Sequence, residues 1–140
     1  MNARILILCT GNSARSQMAE GLLREMGGGT IDAYSAGTKP GLVRPEAVAV
    51  MAERGIDITG HRSKHVDEFE GQTFDYVITV CDNANETCPV FPGAPRRLHW
   101  SLPDPAAVEG SEQVRLDAFR RVRMMLTERF EQFLVERDRV

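Results

Sequence analysis

Apolar positions along the chain follow two rhythms. Ala3 to Leu8, with the run ILIL, form a short apolar stretch rich in branched side chains, which suits a strand covered on both faces. From Ser16 the apolar positions Met18, Leu22, Leu23 and Met26 keep helical spacing, and Gly27-Gly28-Gly29 stops them with residues that tolerate left-handed backbone. TIDAYSAG predicts a second, weaker strand ending near Ser35. Pro45 suits a first helical position, and Ala47, Val48, Met51 and Ala52 line one face of a second helix that ends at Gly55. A polar stretch from Asp57 to Lys64 leads to a short helical turn around Val66 to Phe69, and FDYVITVC then reads as the clearest buried strand, ending on Cys81. The asparagines and prolines of DNANETCPVFPGAP predict a loop, RRLHW a fourth strand and SLPDPAAVEGS another loop. From Glu112 to Arg137 the positions Phe119, Val122, Leu126, Phe130 and Phe133 recur at helical intervals, so a long amphipathic helix follows.

Strands alternating with helices imply an α/β fold, a four-stranded parallel sheet with helices on both faces, because parallel neighbours need crossover connections. Ligands in such sheets bind beyond the carboxyl ends of the strands. Cys9 follows strand one, Ser35 closes strand two, Cys81 ends strand three and Asp104 lies in the loop after strand four, so all are expected at one edge. A length of 140 residues corresponds to one domain, 1–140. The formal net charge of −3 argues against a nucleic-acid surface as the main business. No apolar stretch reaches the roughly 20 residues that span a bilayer, and no signal-peptide pattern is present, so a cytoplasmic location without membrane attachment is expected. Three cysteines, an odd number, fit buried packing residues or reactive thiols better than a disulfide framework.

The loop CTGNSAR, Cys9 to Arg15, joins strand one to helix one. A helix that starts there directs unpaired N–H groups and its positive dipole end at the loop, which forms a site for an anion. Gly11 permits a sharp turn, Asn12 tolerates left-handed dihedrals and can brace the loop, and Arg15 offers a fork of donors to a tetrahedral oxyanion. Thr10, Ser13, Ala14 and Ser16 complete the oxyanion-binding loop. The same positive environment favours thiolate at Cys9, the form that attacks, and Ser16 is the better placed of the two serines to donate to it.

CTGNSARSQMAEG, the pair Asp104-Pro105 and the YSAG of Tyr34 to Gly37 together resemble the low-molecular-weight tyrosine phosphatase family, in particular its thioredoxin-coupled arsenate reductase branch. The resemblance covers nearly the whole chain. It implies Cys9 as nucleophile, Arg15 as oxyanion clamp and Asp104 as general acid. A phosphatase hydrolyses its covalent adduct, whereas a reductase must find two electrons, which one dithiol becoming a disulfide supplies. Cys81 and Cys88 are the candidates. If residues 82–88 were helical, seven steps of about 1.5 Å would hold the two Cα atoms roughly 10 Å apart, beyond the limit of about 7 Å for a disulfide. Bridging them requires that segment to change shape, which its poor helix formers and Pro89 permit. The family implies the order: a Cys9–Cys81 disulfide as arsenite departs, then Cys81–Cys88, re-reduced by thioredoxin.

The expected ligand is arsenate, with phosphate or sulfate as analogues, and no cofactor or metal is expected. The protein is expected to be a monomer. A low-molecular-weight tyrosine phosphatase is the alternative, disfavoured because Ala106-Ala107 follow Asp104-Pro105 where a phosphotyrosine site needs an aromatic residue. Two positions depart from the branch: Ala14 stands where many of these reductases have a further cysteine, and Lys64 stands where some relatives use an acidic residue, with counterparts of Asn12, Glu20 and Ser35, to bind potassium. An ammonium there could pair with Glu20 in the ion's place. His61 and His65 have a metal-like spacing but no third ligand in view, which favours surface or supporting roles. His99 and Trp100 are expected to pack at a strand end, and FRRVR to form the wet face of the last helix.

Overall fold

The computed structural model describes residues 2–82, 90–92 and 96–138. Cys88 lies outside the described residues. Among them the order of elements is β1 (Ala3–Cys9), α1 (Arg15–Met26), β2 (Ile31–Gly37), α2 (Pro45–Ala52), a 3-10 turn (Val66–Phe69), β3 (Tyr76–Thr79), β4 (Arg96–His99), a second 3-10 turn (Pro105–Ala107) and α3 (Glu112–Asp138). The sheet has the order β2-β1-β3-β4, with every pairing parallel.

Alternation along β1 sorts the core into two layers. Ile5, Ile7 and Cys9 belong to the larger cluster, which receives Met18, Leu22 and Leu23 of α1, Val50 and Met51 of α2, and Phe119, Leu126 and Phe130 of α3. Leu6 and Leu8 face the other way and pack with Phe69, Phe74 and Phe91. The 3-10 turn Val66–Phe69 and this aromatic group therefore cover the face opposite the long helices, and Tyr34, Phe69 and Phe74 meet edge to face at 5.7–5.8 Å. Ile5 to Leu8 are wholly buried, which is why this block carries no polar residue.

Three expectations change in detail. β2 continues past Ser35 to Gly37, because Gly37 can run beside the loop after β1 where a side chain could not: a Cβ there would sit 2.7 Å from the Cys9 carbonyl oxygen and closer still to that of Thr10. β3 leaves the sheet after Thr79 rather than at Cys81, the bond from Val80 N–H to the Leu8 carbonyl (2.9 Å) being its last tie to β1. The arginines of FRRVR are not all wet. Arg123 is buried, with Nη1 donating to the Val50 carbonyl (2.6 Å) and to Glu53 (2.8 Å), while Arg120 holds the same carboxylate at 2.8 Å. Those two arginines hold Glu53 down to a pKa of about 2, Arg120 contributing most. Trp100 packs as expected, against Phe130 and Phe133 of α3, while His99 is exposed beside the Thr79 hydroxyl.

Candidate active site

The carboxyl end of β1 opens into a well of about 200 Å³ lined by Cys9, Thr10, Gly11, Ser13, Ala14, Arg15, Lys39, Arg44, Asp104 and Ala106. Position follows from fold: Cys9 is the last residue of the central strand, and Arg15 is the first of α1. Ala14 occupies the cap position of α1 with no side-chain hydrogen bond to the first turn, so this helix start is left for a ligand to complete. Among the described residues Asn12 is the non-glycine residue with positive φ (46°), which lets the loop fold back over the thiol.

Asn12 and Ser16 are fully buried behind the well rather than in its wall. Asn12 Nδ2 donates to Ser16 Oγ at 2.8 Å, which leaves the serine proton free for Cys9 Sγ, also at 2.8 Å. Arg15 is 3% exposed. Its Nη1 donates to the Leu102 carbonyl (3.1 Å), and its Nη2 lies 3.9 Å from Asp104 Oδ2. Asp104 uses its other oxygen to accept from Ala106 N–H (3.0 Å), so it is at once the cap of a 3-10 turn and a carboxylate facing the guanidinium. Its side chain is 40% exposed, open enough to exchange a proton with water.

Cys9 and Cys81 are buried, 2% and 0% exposed, in the same core cluster. Of the expected sheet-edge group, Ser35 does not reach the well. Its hydroxyl instead donates to Glu20 Oε1 at 2.8 Å. Lys64 Nζ approaches the same oxygen at 3.7 Å, and Lys64 N–H donates to Asn12 Oδ1 at 2.9 Å, so the ammonium stands among the residues that the expectation named. Burial pushes the Lys64 pKa down, and Glu20 opposes that shift. Among the described residues no cluster of His, Cys, Asp or Glu could hold a metal ion, and no helix is long and apolar enough to cross a membrane.

Sequence reasoning missed the braces behind the loop. Gln17 is wholly buried, and its Nε2 donates to the Asn12 carbonyl (3.0 Å), to Asn12 Oδ1 (2.9 Å) and to the Arg62 carbonyl (2.9 Å). Its Oε1 lies 3.0 Å from His61 Nδ1. Ser63 donates to the Gly11 carbonyl at 2.9 Å. His61 thus supports the loop, with Nε2 3.5 Å from Glu20 and its pKa lowered chiefly by burial. His65, more exposed, caps the 3-10 turn by accepting from Asp67 N–H. The sequence shows only a glutamine five residues beyond Asn12, with nothing to mark it as buried. Lys39 and Arg44 at the rim carried no signal either.

A strand-end cysteine under a helix start, an arginine six residues on and an aspartate opposite define a class of thiol enzymes that attack tetrahedral oxyanions. The chain belongs to the low molecular weight phosphotyrosine protein phosphatase family, whose model matches residues 4–139. Within it, the chain is 42% identical over 134 residues to an arsenate reductase of Halalkalibacterium halodurans, covering 95% of this chain and 96% of that one. A solved arsenate reductase in a phosphate-binding state superposes with a TM-score of 0.81 at 33% identity, covering 96% of this chain and 98% of the other. The thioredoxin-dependent arsenate reductase of Corynebacterium glutamicum superposes with a TM-score of 0.67 at 26% identity, covering 96% of this chain and 63% of that longer one.

Proposed function

We propose that the protein reduces arsenate to arsenite through a covalent adduct on Cys9 and a relay of Cys9, Cys81 and Cys88 that thioredoxin re-reduces. The observation that carries the reading is the second buried thiol, Cys81, in the same core cluster as the nucleophile. Simple hydrolysis of an adduct has no use for it. The well also suits a bare oxyanion better than an aryl phosphate: among the described residues none of its lining is aromatic.

The chemistry runs from the geometry. Arsenate enters with its oxygens toward the loop N–H groups and the Arg15 fork. The Cys9 sulfur attacks arsenic, and the displaced oxygen leaves as water, taking a proton from Asp104. Cys81 then attacks the Cys9 sulfur. An S–S bond forms, the S–As bond breaks, and its electron pair goes to arsenic, which leaves as arsenite, reduced by two electrons. The sulfurs are oxidised by the same two. Cys88 attacks Cys81 and returns Cys9 as thiolate. A Cys81 thiol without solvent exposure is closed to an external dithiol, which assigns Cys88 the task of carrying the disulfide outward to thioredoxin.

The test is arsenite release with thioredoxin and its reductase. Wild type should turn over continuously. Cys88→Ser should give about one arsenite per protein and stop, and Cys9→Ser none. Phosphatase activity that survives both Cys81→Ser and Cys88→Ser, without arsenite production in the wild type, would establish the hydrolytic reading instead.

A further inference from the structure

At its base the well has one cation and one anion side by side. Arg15 and Asp104 face each other at 3.9 Å, one positive and one negative, in a chain whose formal net charge is −3. A tetrahedral oxyanion of the arsenate or phosphate class is a mixture of monoanion and dianion near neutral pH, the dianion gaining as the pH rises. Charge to favour the dianion, beyond Arg15 and the loop N–H groups, stands at the rim.

Two cations stand there. Lys39 and Arg44 line the well, and both also line an adjoining open cleft of about 420 Å³ walled by Leu42, Val43 and Pro45. Both side chains are exposed, and neither forms an ion pair or hydrogen bond among the described residues. Their backbones are fixed to the catalytic loop itself: Lys39 N–H donates to the Thr10 carbonyl (2.9 Å) and Arg44 N–H to the Ser13 carbonyl (2.8 Å). Two positive side chains are therefore anchored by their main chain to the loop that follows Cys9, and neither pairs with a carboxylate among the described residues. Arg62, by contrast, is paired with Glu68, and Arg120 with Glu53 and Asp117.

We propose that Lys39 and Arg44 form a cationic collar that draws dianionic tetrahedral oxyanions through the adjoining cleft into the Cys9 well and selects them over monoanions. The proposal rests on the reading of the well as an oxyanion site. It adds the residues that set affinity and charge selectivity, separate from those that make and break bonds. Charges at the lip of a low-dielectric cleft act on encounter, so their signature is a dependence on ionic strength.

The experiment compares wild type, the double variant Lys39→Gln/Arg44→Gln and the charge-retaining Lys39→Arg/Arg44→Lys. Inorganic phosphate binding is followed by calorimetry at low and at physiological NaCl, and arsenate kcat/KM is measured over the same range. The neutral double variant should lose about tenfold in phosphate affinity and in kcat/KM at low salt, the loss carried mainly by KM, and should show a flatter salt dependence. The charge-retaining variant should restore affinity and slope, which a merely structural role of these positions would not do. Sulfate should compete with phosphate more strongly than perchlorate does in wild type, and that preference should shrink in the neutral variant. Wild-type affinity and slope in the neutral variant would overturn the collar. Because phosphate binding is read without turnover, absence of arsenate reduction would overturn the functional reading while leaving the collar judged on its own result.

Discussion

Gln17 shows how much of a catalytic loop can hang on one side chain that never touches the ligand. Its amide supplies donors to both polar oxygens of Asn12 and to the Arg62 carbonyl, and receives His61 on its oxygen. Asn12 in turn orients Ser16, and Ser16 contacts the Cys9 sulfur. Gln17→Leu keeps the volume and strips the bonds, leaving buried acceptors unpaired at a cost of about 1–3 kcal/mol each before relaxation. The expected outcome is a lower urea midpoint together with loss of phosphate protection when Cys9 is alkylated with iodoacetamide. A lower midpoint with full phosphate protection would mean that Gln17 supports only the fold. At this scale the meeting of Cys9, Arg15 and Asp104 in one well was legible in the sequence, because strand, loop and helix signals stand within one short stretch and Asp104 stands beside a proline. Gln17, Ser63 and His61 were not, since the bonds from Gln17 to Arg62 and His61 and from Ser63 to Gly11 each span more than 40 positions and no local pattern marks them.

The end of β2 is the element on which the loop rests. Gly37 pairs with Cys9 in the sheet register, and its missing side chain lets the two backbones approach. Gly37→Ala places a methyl group against backbone oxygens and the Asn12 nitrogen, none of which can swing aside. That substitution is expected to lower kcat/KM by about a hundredfold, since misplacing a catalytic group by an ångström has that scale of effect, while circular dichroism shows the fold intact. Near-normal kcat/KM would show the loop able to shift without consequence. The elements themselves were readable where burial imposes a rhythm, as in β1, α1 and α3. Their ends were less so: β2 runs on because a glycine permits close approach, and β3 ends at Thr79, two residues before the apolar run does. The first limit is set by neighbours rather than by the strand's own residues.

Across the whole molecule, stability should fall toward acid in two stages of the same sign. His61 is disfavoured as a cation in the folded state, so its contribution is complete above its ordinary value of 6.5 and declines as the pH drops through that value toward the lowered one. Glu53, held at about 2 by Arg120 and Arg123 against an ordinary 4.5, contributes fully above 4.5 and loses that contribution between 4.5 and about 2. Melting temperature from pH 8 to pH 3 should therefore decline below 6.5 and more steeply below 4.5. Glu53→Gln should flatten only the lower part, and an unaltered lower slope would remove the α2–α3 clamp from the account. The topology was legible as a parallel sheet with chemistry at its carboxyl edge. The buried clamp was not, because amphipathic periodicity assigns an arginine to solvent without knowing that the Glu53 carboxylate and the Val50 carbonyl lie beneath it. The hold of the 38–44 segment on the catalytic loop, by main-chain atoms alone at Thr10 and Ser13, has a further consequence for how this protein can change. Side chains at 39, 42 and 44 can be exchanged without disturbing the bonds that seat the nucleophile. Adaptation to another anion has a place to occur that leaves the reaction's own residues untouched, and a library of substitutions at these three positions is where altered selectivity should first emerge.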